Sequence, residues 1–267
     1  MNPFRIRPGQ RVRLERFDPR DTSGLRGTKR DALARSARLT ARLEHLQEML
    51  FADHRQRVLV VLQGLDTSGK DGTIRHVFEG VNPQGVRVVP FRRPTPEEAD
   101  HDFLWRAHRQ TPAKGEIVIF NRSHYEDVLI ARADKLVPKS VWKRRYEEIN
   151  EFERLLSEEG TTILKFYLHI SKAEQKRRLE QRLADPTKHW KFSLSDVSER
   201  RRWPSYIEAF EAMLEKTSTE WAPWYVVPSD FKWYRDLVVS TVLVDALRRM
   251  ELQWPPLPAD LKSVVVT

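Results

Sequence analysis

Five aliphatic residues, Val58-Leu59-Val60-Val61-Leu62, run straight into Gln63-Gly64-Leu65-Asp66-Thr67-Ser68-Gly69-Lys70-Asp71-Gly72-Thr73. No other stretch restricts the fold as strongly. An apolar run this short, bounded by a turn, reads as a strand buried on both faces, the kind a parallel sheet supplies. Gly64 and Gly69-Lys70 have the G-x-x-x-x-G-K spacing of a phosphate-binding P-loop. The glycines let backbone N–H groups turn toward an anion, the helix start adds positive dipole, and Lys70 adds a full charge. Gly64, Thr67, Ser68, Gly69, Asp71, Gly72 and Thr73 are therefore expected around bound phosphates. Two carboxylates stand out. Asp71 occupies the usual Ser/Thr position after the lysine, and Asp66 sits inside the loop itself. A carboxylate among phosphates is tolerable when a divalent cation lies between them, so Asp66 reads as a metal ligand.

The chain has 267 residues, 40% of them hydrophobic, which suits a single α/β domain over 1–267 with appendages. There is no cysteine, which excludes disulfides, zinc–thiolate sites and thiol nucleophiles. No apolar run approaches membrane-spanning length and the start lacks an apolar signal core, so a cytoplasmic protein is expected. The net charge of +9 predicts polyanionic partners. It is concentrated: six arginines against two acids in the first twenty residues, and ten basic against five acidic residues between Ser171 and Pro204.

Residues 1–28, rich in Arg, Pro and Gly, read as a basic N-terminal arm outside the core, either a disordered leader or laid against the phosphate site. Lys29 to His54 is a packing helix, with Leu39, Leu43, Leu46 and Leu50 on one face. After the P-loop and its helix, Val86 to Phe91 forms a second strand. A basic loop with Arg93 follows, then a helix opened by Pro96 that carries Arg106, both arginines being expected to bind phosphate or nucleotide. His101 and His108 on that helix lack metal-site spacing. Gly115 to Phe120 is a third buried strand ending in Asn121-Arg122-Ser123-His124-Tyr125-Glu126-Asp127. Polar residues just past a parallel strand sit where α/β proteins bind ligands. Asn121, Glu126 and Asp127 are candidate metal-holding or orienting groups there, and Arg122 has the fork geometry for a phosphate. The bland alternative for this cluster is a capped helix start.

Ser140 to Glu159 is a long helix, Thr162 to Ile170 a fourth strand, Pro223 to Pro228 a fifth, and Tyr234 to Met250 a final helix. Between the fourth and fifth strands, about 171–204, come a basic helix with Arg178 and Arg182 on one face, a loop with Lys188 and Lys191 between aromatics, and a helix capped by Ser195 or Asp196. This is the layout of a lid that brings cations over phosphates; a solvated hairpin or a nucleic-acid surface are the other readings. A Pro-rich tail occupies 255–267.

GLDTSGKDGT (Gly64–Thr73), FNRSHYEDVL (Phe120–Leu129) and the stretch around KHWKFS together resemble the polyphosphate kinase 2 family over about Lys29 to Met250. The Glu126-Asp127 variant is similar to its class III subgroup; Asn121 replaces an Asp found in some members. The resemblance implies a P-loop kinase three-layer α/β/α sandwich, with a five-stranded parallel sheet and a helical lid. It implies Mg²⁺-dependent (or Mn²⁺-dependent), reversible transfer of the terminal phosphoryl of inorganic polyphosphate to AMP or ADP, with GMP and GDP as further acceptors, in a homo-oligomer (dimer or tetramer). By position it implies roles for Asp66, Lys70, Asp71, Arg122, Glu126, Arg178, Lys188 and Lys191. The metal would rest on Asp66, Asn121 and Asp127. Nucleic acid is the less favoured polyanion, and no membrane partner is expected. Two rival readings use the same motifs: an ATP-dependent nucleoside monophosphate kinase, and a polyanion-binding protein without turnover.

Overall fold

The structure, a computed structural model, describes residues 4–259 and 264, the side chain of Ser195 excepted. Most of the expected Pro-rich tail, residues 260–263 and 265–267, and the first three residues of the arm lie outside the described residues.

Five parallel strands form one sheet in the order β2-β3-β1-β4-β5. They are β1 (Arg57–Gln63), β2 (Val86–Pro90), β3 (Ile117–Asn121), β4 (Thr161–His169) and β5 (Trp224–Pro228). β1 lies centrally, with Val60 level with Ile119 on one side and Leu164 on the other. Its side chains alternate between faces. Leu59 and Val61 join one core with Phe120, Tyr125 and Tyr167, while Val58, Val60 and Leu62 join the other with Ile119 and Phe166. Both faces are buried, which is why the strand reads as unbroken aliphatic sequence. The helices α1 (Lys29–Asp53), α2 (Lys70–Val77) and α10 (Lys232–Arg248) cover the second core. The first is covered by α5 (Glu126–Ala133), α6 (Lys139–Glu158) and α9 (Trp203–Thr217). The result is the expected three-layer α/β/α sandwich. The chain leaves β1 toward β3 and β2 and returns to β4 on the other side, so the C-terminal ends of β1 and its two neighbours frame the switch-point crevice.

Three local expectations change. The helix opened by Pro96 is two short ones, α3 (Pro96–Asp100) and α4 (Trp105–His108), because Asp102 Oδ1 accepts the N–H groups of Leu104 and Trp105 and starts a new turn. The helix after the lid loop splits into α8 (Leu194–Arg201) and α9, whose first turn holds Pro204, a residue that cannot continue a preceding helix. The arm is not outside the core. Phe4, Ile6, Val12 and Leu14 are buried, and residues 4–6 bond antiparallel to the edge strand β5, with Ile6 N donating to Trp224 O and Val226 N to Phe4 O. The arm thus blunts one sheet edge. Its apolar residues at 4, 6, 12 and 14 alternate with arginines, a period-2 pattern masked by the charge.

Candidate active site

The loop between β1 and α2 owes its shape to glycine at two points. Gly64 has φ +154, and a Cβ there would meet Ser68 Oγ at 2.7 Å and Leu168 O at 2.9 Å. Gly69 has φ +110, and a Cβ would fall 1.8 Å from Arg235 Nη1. Arg235 belongs to a guanidinium pair under the loop. It is buried, bonds Asp236 with Nε at 2.8 Å, and reaches Ser68 O at 3.4 Å. Thr73, in the first turn of α2, is tied to the same Asp236 at 3.3 Å.

The second guanidinium is Arg178 of α7 (Lys172–Ala184). It donates to Thr67 O (2.9 Å), Ser68 O (3.1 Å), Ser229 O (2.7 Å), Asp230 O (3.0 Å) and the Glu174 carboxylate (2.7 Å). Among the described residues all peptide bonds are trans. With the Ser68 carbonyl aimed at Arg178, the Gly69 N–H of that peptide faces the opposite way. Two buried cations behind the loop thus orient its donors forward. Arg178 is committed to main-chain carbonyls and braces the phosphate nest instead of facing it. Thr67 Oγ1 and Ser68 Oγ are buried and have no hydrogen-bond partner among the described residues, which is costly unless a ligand supplies one.

Lys70 is buried, and its Nζ donates to Gly64 O at 2.7 Å and Leu65 O at 3.3 Å. Burial, and then the nearby Arg122, push its pKa down to about 8. Arg122 stands at the end of β3 with φ +62, a left-handed conformation that costs a non-glycine residue ~1–2 kcal/mol. Its guanidinium forks between Asp66 Oδ1 at 2.8 Å and Glu126 Oε2 at 3.2 Å. Burial opposes the charge on Asp66, but Lys70 and Arg122 outweigh it and hold its carboxyl at about 2.

The lid supplies two groups that sequence reasoning did not assign to the site. Asp196 and Glu199 of α8 face Asp66; burial and then the Asp66 charge push Asp196 up to about 6 and Glu199 to about 7. A cavity of about 20 Å³ remains between Gly64, Asp66, Arg122, Glu126, Glu199 and Tyr206, room for one water but not for a phosphate chain. Glu199 closes this cavity from the segment that the sequence reads as a lid. Its loop is fastened by Lys191 Nζ, 3.0 Å from Asp71 Oδ2, and the other oxygen of Asp71 accepts from Asn121 Nδ2 at 2.9 Å. Arg182 reaches Lys191 O at 3.3 Å and Asp196 Oδ2 at 3.7 Å. Lys188 pairs with Asp185 on the exposed side of the loop. Arg93 is exposed after β2.

Asp127 lies apart from the Asp66 cluster in its contacts. Arg106 Nη2 holds it at 3.3 Å and Arg145 Nη1 at 3.6 Å. Burial pushes its pKa up against the pull of those arginines. Arg106 is itself buried, bonding Arg92 O at 2.8 Å and lying over the Phe91 ring. Of the three expected metal ligands, Asn121 presents its amide to Asp71 and Asp127 is bound by two cations. Asp66 bonds Arg122 through Oδ1 and is crowded by Asp196 and Glu199, where an added cation would neutralise acidic groups. Among the described residues no three His, Asp or Glu side chains are gathered at ligating distances. A single carboxylate still fits Mg²⁺, which keeps several waters and takes its other ligands from substrate phosphates. The crowding of Asp196 and Glu199 against Asp66 is a surplus of negative charge that such an ion relieves.

Comparisons with known proteins agree with this geometry. Residues 26–255 match the family described as Polyphosphate kinase 2 (PPK2). The chain is 54% identical over 266 residues, 100% of both chains, to an AMP/ADP-polyphosphate phosphotransferase of Meiothermus ruber. It is 44% identical over 226 residues to an ADP-polyphosphate phosphotransferase of Rhodopseudomonas palustris, covering 80% of this chain and 78% of that one. The crystal structure of polyphosphate kinase 2 from Arthrobacter aurescens TC1 superposes with a TM-score of 0.92 at 47% identity, over 95% of this chain and 90% of the other.

Proposed function

The chain belongs to the polyphosphate kinase 2 family, and from that premise we propose that it moves the terminal phosphoryl group of inorganic polyphosphate onto AMP and ADP, reversibly. The observation that carries the reading is the Arg122 fork, 2.8 Å from Asp66 and 3.2 Å from Glu126, beside the buried Lys70. A cation with two carboxylate partners at a phosphate loop can exchange one of them for phosphate oxygens without being left unpaired.

The terminal phosphate oxygen of the acceptor nucleotide attacks the end phosphorus of the donor in line. A new P–O bond forms, the bridging P–O bond to the penultimate phosphate breaks, and the shortened chain leaves as an anion. The attacking oxygen is already ionised near neutral pH, so no side chain has to take a proton. Catalysis is then positioning and charge neutralisation in a loose transition state. Lys70 and Arg122 hold the transferred group; Glu126 keeps Arg122 aligned and faces the acceptor. The loop N–H groups and the hydroxyls of Thr67 and Ser68 bind the flanking phosphates, while the Thr73 hydroxyl is taken up by Asp236. Asp66 would hold Mg²⁺, or Mn²⁺ in its place, which supplies charge neutralisation between donor and acceptor. The lid, through Lys191 and Arg182, closes over the donor and excludes water.

The test is ATP formation, read by luminescence, from long-chain polyphosphate and either AMP or ADP with no ATP supplied. Turnover on both acceptors is the expected result. A nucleotide product only when ATP is the donor would replace this reading with an ATP-dependent nucleoside monophosphate kinase. Mg²⁺-independent polyanion binding without turnover would replace it with a non-enzymatic one. GMP and GDP belong in the same assay as acceptors, and a sizing measurement tests the proposed homo-oligomer.

A further inference from the structure

Beneath the strand end that carries Arg122 and Glu126 lies a charged network with no exposure to solvent. Lys165, in the middle of β4, donates from Nζ to Glu153 Oε2 on α6 at 2.6 Å, to Tyr125 Oη at 2.8 Å and to Thr217 O at 2.6 Å. Tyr125 Oη donates to Glu153 Oε1 at 2.8 Å. His124 Nε2 is 3.4 Å from that same oxygen. Lys165, Glu153, Tyr125 and His124 are all fully buried. Burial works against a charge on Glu153, yet Lys165 and then His124 hold its pKa below the usual value. A buried ion pair is weak evidence for stability, since apolar residues of similar volume often stabilise as well or better. Its retention calls for another account.

The geometry of the connection provides one. Tyr125 is the residue just before Glu126 and three after Arg122, the two groups that meet at the phosphate loop. Arg122 is left-handed, a conformation that persists only where the surroundings determine it. The surroundings here are few. Arg122 N bonds Leu62 O at 3.1 Å, Ser123 Oγ accepts from Gln63 Nε2 and from Tyr125 N at 3.1 Å each, and the Tyr125 ring is clamped between the network and Trp224. The loop is thus pinned to β1 at one end. At the other it is anchored to α6, β4 and the end of α9 through the Tyr125 phenol, with the His124 ring packed on Phe152 of α6 beside it.

We propose that Tyr125, Glu153 and Lys165 are positioning residues for phosphoryl transfer: the network fixes the Ser123–Tyr125 turn so that Arg122 meets Asp66 and Glu126. None of the three touches substrate. The inference rests on the phosphotransfer reading above, which wild-type turnover in the same assay tests separately.

The experiment is a double-mutant cycle between Tyr125→Phe and Arg122→Lys, with kcat and KM measured for both polyphosphate and nucleotide. Tyr125→Phe removes one hydroxyl and keeps the ring. It is expected to lower kcat about tenfold, as a small displacement of an aligned cation does. Both KM values should stay within about twofold, since ground-state binding is untouched. On the Arg122→Lys background the same change should cost nothing further, because the group it aligns is gone. A purely structural role predicts losses that multiply, and that result would overturn the proposal, as would wild-type kcat in Tyr125→Phe. The paired exchange Glu153→Gln with Lys165→Met leaves no unpaired buried charge. If it folds, it should reproduce the kcat loss at unchanged KM; if it does not fold, Tyr125→Phe and the cycle decide alone.

Discussion

Lys191 Nζ of the lid lies 3.0 Å from Asp71 Oδ2 at the first turn of the helix after the phosphate loop. Asp71 stands where a P-loop usually has a hydroxyl, and here it fastens the lid while its other oxygen is oriented by Asn121. On the proposed mechanism an incoming polyanion competes with Asp71 for Lys191. Lys191→Ala should therefore loosen the lid and remove a donor contact. The expected result is a roughly tenfold lower kcat/KM for polyphosphate, with a shallower fall as salt is raised, because one fewer phosphate charge is neutralised. An unchanged salt slope would show that Lys191 leaves the donor alone.

The pH profile follows from Lys70. Its pKa is pushed down to about 8, first by burial and then by Arg122. The charged form binds phosphate, so kcat/KM should fall as pH rises through about 8. Bound phosphate stabilises the ammonium, so the corresponding limb in kcat should sit at higher pH. Stability runs in the other sense. Between about 8 and the ordinary lysine value of 10.5 the unfolded chain binds more protons than the folded one, so Lys70 makes stability rise with pH in that window. A kcat/KM profile flat from pH 7 to 10 would contradict the assignment.

Arg178 separates a bracing role from a substrate contact. Arg178→Met leaves the carbonyls of Thr67, Ser229 and Asp230 without its guanidinium, and Ser68 O with only the Arg235 contact at 3.4 Å. Orphaned buried acceptors cost about 1–3 kcal/mol each in the worst case. Partial relaxation leaves a net loss of about 3 kcal/mol, read as a lowered denaturation midpoint. A variant of wild-type stability with only a raised KM for polyphosphate would return Arg178 to the phosphate-binding set.

Two glycines of the loop should respond in opposite directions. Gly69→Ala meets Arg235 Nη1 at 1.8 Å from a backbone at φ +110, and Arg235 is held by Asp236. A loss of about 2–3 kcal/mol and displaced phosphate donors are expected. Gly72 is helical, and a Cβ there has Arg235 Nη2 at 3.5 Å as its nearest neighbour. Gly72→Ala should be neutral or stabilise by up to about 1 kcal/mol through helix propensity. Thermal melts of the two variants side by side make the comparison.

Local sequence was enough for the phosphate loop, because a β-strand, a fixed glycine spacing and a lysine lie within sixteen consecutive residues. Arg122 and Glu126 were legible because the end of a buried parallel strand has one destination, the crevice at the switch point. The lid carboxylates were not. Asp196 read as a helix cap and Glu199 was not singled out, since nothing local says which face of α8 turns toward Asp66. Signals did exist for the buried pairs: Lys165 interrupts an apolar strand, and Arg235-Asp236 interrupts an otherwise apolar stretch of the last helix. Charge in such a place requires a partner, but the partner lies elsewhere in the chain.

The amino-acid order alone thus marked the five strands, the two buried faces of β1 and the anion-binding turn, because each rests on periodicity or on spacing between near neighbours, whereas the strand order is long-range pairing. Folding in three dimensions decided which cations face substrate and which brace the loop from behind. Arg178 and Arg182 share a helix face one turn apart, yet one bonds carbonyls of the phosphate loop and the other bonds Lys191 O within its own segment. A guanidinium takes its role from the acceptors that surround it, and most of those around Arg178 come from segments distant in the chain, Thr67 and Ser68 before it and Ser229 and Asp230 after it.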